Sequence, residues 1–196
     1  MLGFVHRLSL SLPVLGSIVL LSGCATLSKQ ECLIGDWETI GYNDGVSGYQ
    51  SDRLASHAKA CAKASVAPDY SAWERGRQQG LKQYCTTNNS YNLGKSGRDI
   101  NNVCPASMAS ALERANQRGL DYYELESQID EDNRLIDKYQ DEFDKLESGD
   151  MLGFDSEKEA RARLLSLADE IRKAKRRIYS SERQLDLFNQ QDRYRY

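Results

Sequence analysis

Cysteine and histidine are the side chains here best suited to chemistry, and the 196-residue chain has five of the first and two of the second. His57 lies in Leu54-Ala55-Ser56-His57-Ala58-Lys59-Ala60-Cys61, an alanine-rich helical stretch with no base or nucleophile beside it in sequence. It therefore reads as a capping or packing residue rather than a catalytic one. Serine, aspartate and glutamate are plentiful but form no nucleophile elbow, metalloprotease helix or calcium loop. Paired carboxylates of a glycosidase type are spaced by the fold, so a wall hydrolase stays open as a class without a motif. The glycine-rich stretches follow no predicted strand, so a phosphate cradle is not expected. No catalytic residue, metal or cofactor is assigned.

The cysteines point to a compartment. Residues 1–23 read as a targeting segment, with His6 and Arg7 as a short basic start and an apolar run from Leu8 to Leu21 broken by Pro13 and Gly16. That run is too short to span a hydrocarbon core about 30 Å thick. It ends in Leu21-Ser22-Gly23-Cys24, which resembles the lipobox of bacterial lipoproteins. The resemblance implies cleavage between Gly23 and Cys24, lipid on the Cys24 sulfur, and, through Ala25, sorting to the outer membrane. The bilayer is thus the first expected partner. Cys32, Cys61, Cys85 and Cys104 remain, an even number in an oxidising compartment, and two disulfides are expected. Their gaps of 28, 23 and 18 residues lack the close ligand pairs of a structural zinc site. Three connectivities stay open. Cys85 with Cys104 closes the shortest loop, and Cys32 with Cys61 needs the chain to reverse, for which Asp44-Gly45-Val46-Ser47-Gly48 offers breakers.

These cysteines sit among repeated glycines and aromatics. Gly41-x3-Gly45-x3-Tyr49 recurs as Gly76-x3-Gly80-x3-Tyr84 and, more loosely, as Ala115-x3-Gly119-x3-Tyr123. Trp37 and Trp73 precede the first two copies. Small residues four apart share a helix face and open a groove that a second helix can enter closely. Tyr91-x2-Gly94-x2-Gly97 repeats the pattern in a loop-like, Asn-rich context. The order Cys32, Gly35-Asp36-Trp37, Gly41, Gly45, Gly48-Tyr49, His57, Cys61, Gly76-Arg77, Gly80-Leu81, Tyr84-Cys85, Gly94, Gly97 and Cys104-Pro105 resembles the bacterial lipoprotein family known as domain of unknown function 2799. The resemblance implies a disulfide-stapled helical module and carries no activity.

The elements that position these residues read as all-α. After a tether at 24–31 and a four-cysteine module at 32–106, residues 107–196 read as long helices forming an antiparallel coiled-coil hairpin with its turn near 148–155. One heptad series is Tyr122, Leu125, Ile129, Asp132, Ile136, Tyr139, Phe143 and Leu146. The other is Leu164, Leu167, Ile171, Ala174, Ile178, Ser181, Leu185 and Phe188. Residues 121–150 hold 12 acidic and 3 basic side chains, and 161–196 hold 10 basic and 5 acidic, so an antiparallel pairing sets opposite charges together. Asp132 is the polar exception on the seam. A third helix over Ser107 to Gly119, or a partner, is expected to cover the coil. At the tip, Met151, Leu152 and Phe154 form an apolar cluster in the wettest loop. They either cap the coil or dock an envelope protein.

A formal net charge of -3, a mean hydropathy of -0.65 and a 28% charged composition argue against a polytopic membrane protein and a nucleic-acid binder. The leading expectation is a lipid-anchored, periplasm-facing outer-membrane scaffold or adaptor without enzymatic activity. The second is a module binding a small ligand or cell-wall glycan, with Trp37, Tyr42, Tyr49, Trp73, Tyr84 and Tyr91 as its stacking surface.

Overall fold

The computed structural model describes residues 26–192, so the cleavage and lipidation positions Gly23 and Cys24 lie outside the described residues. Among the described residues the fold is all-α. Seven helices follow in order: α1 (Lys29–Ile34), α2 (Trp37–Val46), α3 (Arg53–Cys61), α4 (Tyr70–Tyr84), α5 (Thr87–Lys95), α6 (Ala106–Glu147) and α7 (Glu157–Asp192), with one 3₁₀ turn at Ala62–Ala64. Short polar side chains start the early helices. Ser28 and Glu31 form a reciprocal capping box on α1, and the Asp36, Asp69 and Thr86 side chains accept from the N–H three residues on at α2, α4 and α5.

Helices α2 and α4 run side by side in the same direction, and glycine sets their distance. A Cβ on Gly41 would lie 1.9 Å from Trp73 O, one on Gly45 2.2 Å from Arg77 O, and one on Gly76 1.9 Å from Glu38 O. The two backbones therefore touch, as the small-residue spacing predicts. Helices α5 and α6 repeat this contact: a Cβ on Gly94 would meet Asn116 O at 2.2 Å and one on Gly119 would meet Tyr91 O at 2.2 Å. The Tyr91 to Gly97 stretch, expected to be a loop, is thus helix α5 and its cap. Asparagine lowers helix propensity there, but close packing of Gly94 on α6 outweighs it. The reversal expected at Asp44–Gly48 begins only after Val46, because Gly45 is needed inside the helix.

The disulfides are Cys32–Cys61, linking α1 to the end of α3, and Cys85–Cys104, linking the end of α4 to the loop before α6. Each sits in its own core. The first gathers Leu27, Trp37 and Trp73, the second Leu81, Tyr84, Leu93 and Leu112. Leu27 is buried and Ser28 already caps α1, so residues 27–31 of the expected tether are folded onto the module.

The expected third helix over Ser107 to Gly119 is the first part of α6, which runs unbroken through residue 147. The composition boundary at 106/107 thus marks the start of a helix whose first turns pack in the module and whose remainder leaves it. Beyond Tyr122, α6 pairs with α7 as an antiparallel coiled-coil hairpin, and every position of both heptad series is buried or half-buried. Small side chains, Ala174 and Ser181, line the seam of α7 on either side of Arg177.

Candidate functional site

The close contacts of the two helix pairs follow one pattern that the linear repeat conceals. The unit is a pair of helices, present twice. Gly41 and Gly45 on α2, with Gly48 just after it, correspond to Ser90 and Gly94 on α5, with Gly97 just after it, while Gly76, Gly80 and Tyr84 on α4 correspond to Ala115, Gly119 and Tyr123 on α6. The caps are the same. Gly48 (φ 70) and Gly97 (φ 69) are both left-handed, and a Cβ on either would strike the ring of Tyr84 or Tyr123 respectively. Arg77 Nη1 donates to Tyr49 O at 3.2 Å, and its counterpart Asn116 donates through Nδ2 to Arg98 O at 2.9 Å. Where Gly41 leaves room for Trp73 O, Ser90 instead donates Oγ to Leu112 O at 2.6 Å. Asn101 then ties the copies together, its N–H donating to Tyr84 Oη at 2.9 Å and its Nδ2 to Gly48 O at 3.0 Å.

Among the described residues, the first copy holds Asp44, His57 and Arg77 buried, where the second holds the neutral Ser90 and Asn116. Asp44, 6% exposed, accepts from Trp73 Nε1 at 2.8 Å and from His57 Nε2 at 2.7 Å, and Arg53 Nε lies 3.6 Å from its other oxygen. The Arg53 guanidinium stacks 4.2 Å above the Tyr49 ring. On its far side the His57 ring places Nδ1 2.8 Å from Thr26 Oγ1. His57 therefore does have an acid partner, one that its sequence neighbours do not reveal because Asp44 lies on α2. A hydroxyl, an imidazole and a carboxylate in series has the composition of a nucleophile relay. Here, however, the imidazole is 1% exposed and the carboxylate is shared with an indole, so the series fastens the segment before α1 to the α2–α4 pair.

The proposed aromatic platform does not assemble at the surface. Trp37, Trp73, Tyr84 and Tyr91 are buried, leaving only Tyr42 and Tyr49 exposed, each at 41%. A recess of about 590 Å³ lies beside the Cys85–Cys104 bridge, lined by Leu81, Val103, Pro105 and Met108 together with Gln78, Gln79 and Lys82.

The hairpin holds two charged clusters. Asp132 is fully buried and receives both Nε (3.1 and 3.0 Å) and Nη2 of Arg177, with Gln128 Nε2 at 3.2 Å. The Asp132 hydrogen bonds hold the Arg177 pKa above its ordinary value. Arg163 forks onto Glu142 at 2.7 and 2.8 Å and reaches Glu170 at 2.9 Å, which depresses the Glu142 carboxyl and raises the guanidinium. At the base, Lys95 lies 3.8 Å over the Tyr122 ring, which meets Phe188 edge-on at 6.4 Å. At the tip the three apolar residues part company. Met151 and Phe154 are half-buried, Met151 joining Leu146, Ala160 and Leu164 around a shallow recess. Leu152 is 40% exposed at φ 47, an unusual backbone for leucine, with its N–H on Asp150 Oδ1 at 3.0 Å.

Fold and site together define a small class: a duplicated, cysteine-stapled pair of parallel helices continued into a coiled-coil hairpin. Residues 36–121 match the model of a family described as "Protein of unknown function (DUF2799)", which supports the resemblance carried by the ordered cysteines, tryptophans and glycines. The matched span starts at the cap of α2 and stops just past Gly119, so it takes in α2 to α5 and the first part of α6, and leaves out α1 and the hairpin. No curated protein and no solved structure matches the chain.

Proposed function

We propose that the protein is a bacterial envelope lipoprotein, anchored to the outer membrane through acylated Cys24, whose module and hairpin act as a non-enzymatic scaffold or adaptor. The observation that carries the export part of this reading is the pairing of all four described cysteines in two disulfides, a state that persists in oxidising compartments. The lipobox supplies the anchor. Among the described residues no helix is long and apolar enough to cross a membrane.

The adaptor part rests on shape and on where the interior polar groups are spent. The buried His57–Asp44–Trp73 cluster fastens segments together, and the apolar Leu152 stands exposed at the far end of a hairpin about 37 Å past Tyr122. Photo-crosslinking from position 152 in intact cells tests this. A discrete adduct with another envelope protein, lost when residues 151–154 become Gly-Ser, supports the adaptor. An absence of any adduct from the tip overturns it.

The glycan-binding alternative loses its aromatic platform to the core. A thermal-shift series with wall fragments decides it, because a binder is stabilised in proportion to occupancy.

A further inference from the structure

The anchor reading has a spatial consequence when combined with the segment at Thr26. The first described residue is already fastened: Thr26 Oγ1 meets His57 Nδ1 at 2.8 Å, Leu27 is buried, and Ser28 opens α1. Cys24 stands two residues before it, and two residues span at most about 7 Å. A lipid on Cys24 is then held within about 7 Å of the Thr26 backbone. Helix α1 rises about 9 Å from there. It ends in Leu33 and Ile34, which are 56% and 66% exposed although Cys32 beside them is 1% exposed and locked to Cys61. Tyr70, 60% exposed, starts α4, where it borders one recess with Glu38 of α2. Two adjacent aliphatics are side chains that settle at a headgroup–acyl boundary.

We infer that the α1 face of the module, with Leu33 and Ile34 at its centre, lies against the lipid surface of the membrane that holds the anchor. The inference rests on acylation at Cys24. The occupant is lipid because the acyl chains deliver that face to a bilayer whatever else is present. His57 and Asp44 are the positioning residues: they fix the segment before α1, and so fix which face is delivered.

The test uses the full-length lipidated chain in vesicles of phosphatidylethanolamine with a minor fraction of phosphatidylglycerol, with and without brominated acyl chains. Leu33→Trp places a reporter on the proposed face and Leu152→Trp places one at the tip, each read against the unsubstituted protein with its buried Trp37 and Trp73. A side chain about 5–10 Å into the boundary touches brominated chains, so Leu33→Trp emission is expected to fall by about half while Leu152→Trp is unchanged. Mass spectrometry of the N-terminal peptide accompanies it. Acyl mass on residue 24 with an unquenched Leu33→Trp overturns this inference alone. Equal quenching at both positions also overturns it, since the body would then lie flat. Absence of acyl mass overturns the anchor itself. A His57→Ala variant that stays folded and lipidated is expected to lose the difference between the two reporters.

Discussion

Single residues here are constrained more by the space and partners they are given than by their own chemistry. Asp44 shows this most directly. It is the shared acceptor of an indole and an imidazole, so Asp44→Ala strands two buried donors and is expected to cost about 2–4 kcal/mol, whereas Asp44→Asn keeps an oxygen for Trp73 and costs less. Urea unfolding with the disulfides intact measures both. Gly76 is constrained by room alone: the Cβ of Gly76→Ala would fall 1.9 Å from a backbone oxygen, so the helices must part, at about 1–3 kcal/mol or more by the same assay. Ser90→Ala, at the position where the second copy tolerates a side chain, is expected to lose only about 1 kcal/mol for its bond to Leu112 O. None of these ranks follows from residue type. Glycine spacing was legible in the sequence because a groove needs small residues on one face. The Asp44–His57 pair was not, because its members lie 13 residues apart on different helices and no periodicity links them.

Helices and their pairings were more readable, and the exceptions have physical causes. Both heptad seams appear as the sequence reading drew them, since an apolar stripe of that length has no other stable placement. The duplication was harder to see. Its second copy replaces Gly41 with Ser90 and Gly76 with Ala115, so the repeat looked like three single motifs rather than two pairs. On the hairpin, removing the two ends of one ion pair is expected to have unequal effects. Arg177→Ala leaves the buried Asp132 carboxylate short of its main partner and should lower the thermal midpoint. Asp132→Leu should leave it unchanged or raise it, because the half-exposed guanidinium returns to water. The Arg163 pairing adds a pH dependence. Glu142 is depressed in the folded state, so its contribution is fully present above the ordinary carboxylate range near pH 4.3 and fades as pH falls through the lower folded value. A melt series should therefore be flat from about pH 7 to 5 and decline below about 4.5, and Glu142→Gln should flatten that decline.

At the scale of the whole molecule, two small cores are each closed by one bridge. A small core depends strongly on such a cross-link. The Cys85→Ser, Cys104→Ser double variant is expected to lose about 3 kcal/mol, measured by denaturation of the full chain. The class of fold and the count of bridges were legible from composition; the connectivity was not, because chain entropy favours the short loop without excluding the others. Helix α6 carries a consequence of another kind. It belongs to both halves, about 63 Å of continuous hydrogen-bonded backbone with no proline, and its one glycine, Gly119, is wedged beneath α5. There is accordingly no joint between the hairpin and the stapled module. Mechanically the molecule is a lever without a hinge: a sideways push of a few ångströms at the tip is delivered as torque to the α5–α6 contact rather than absorbed along the way.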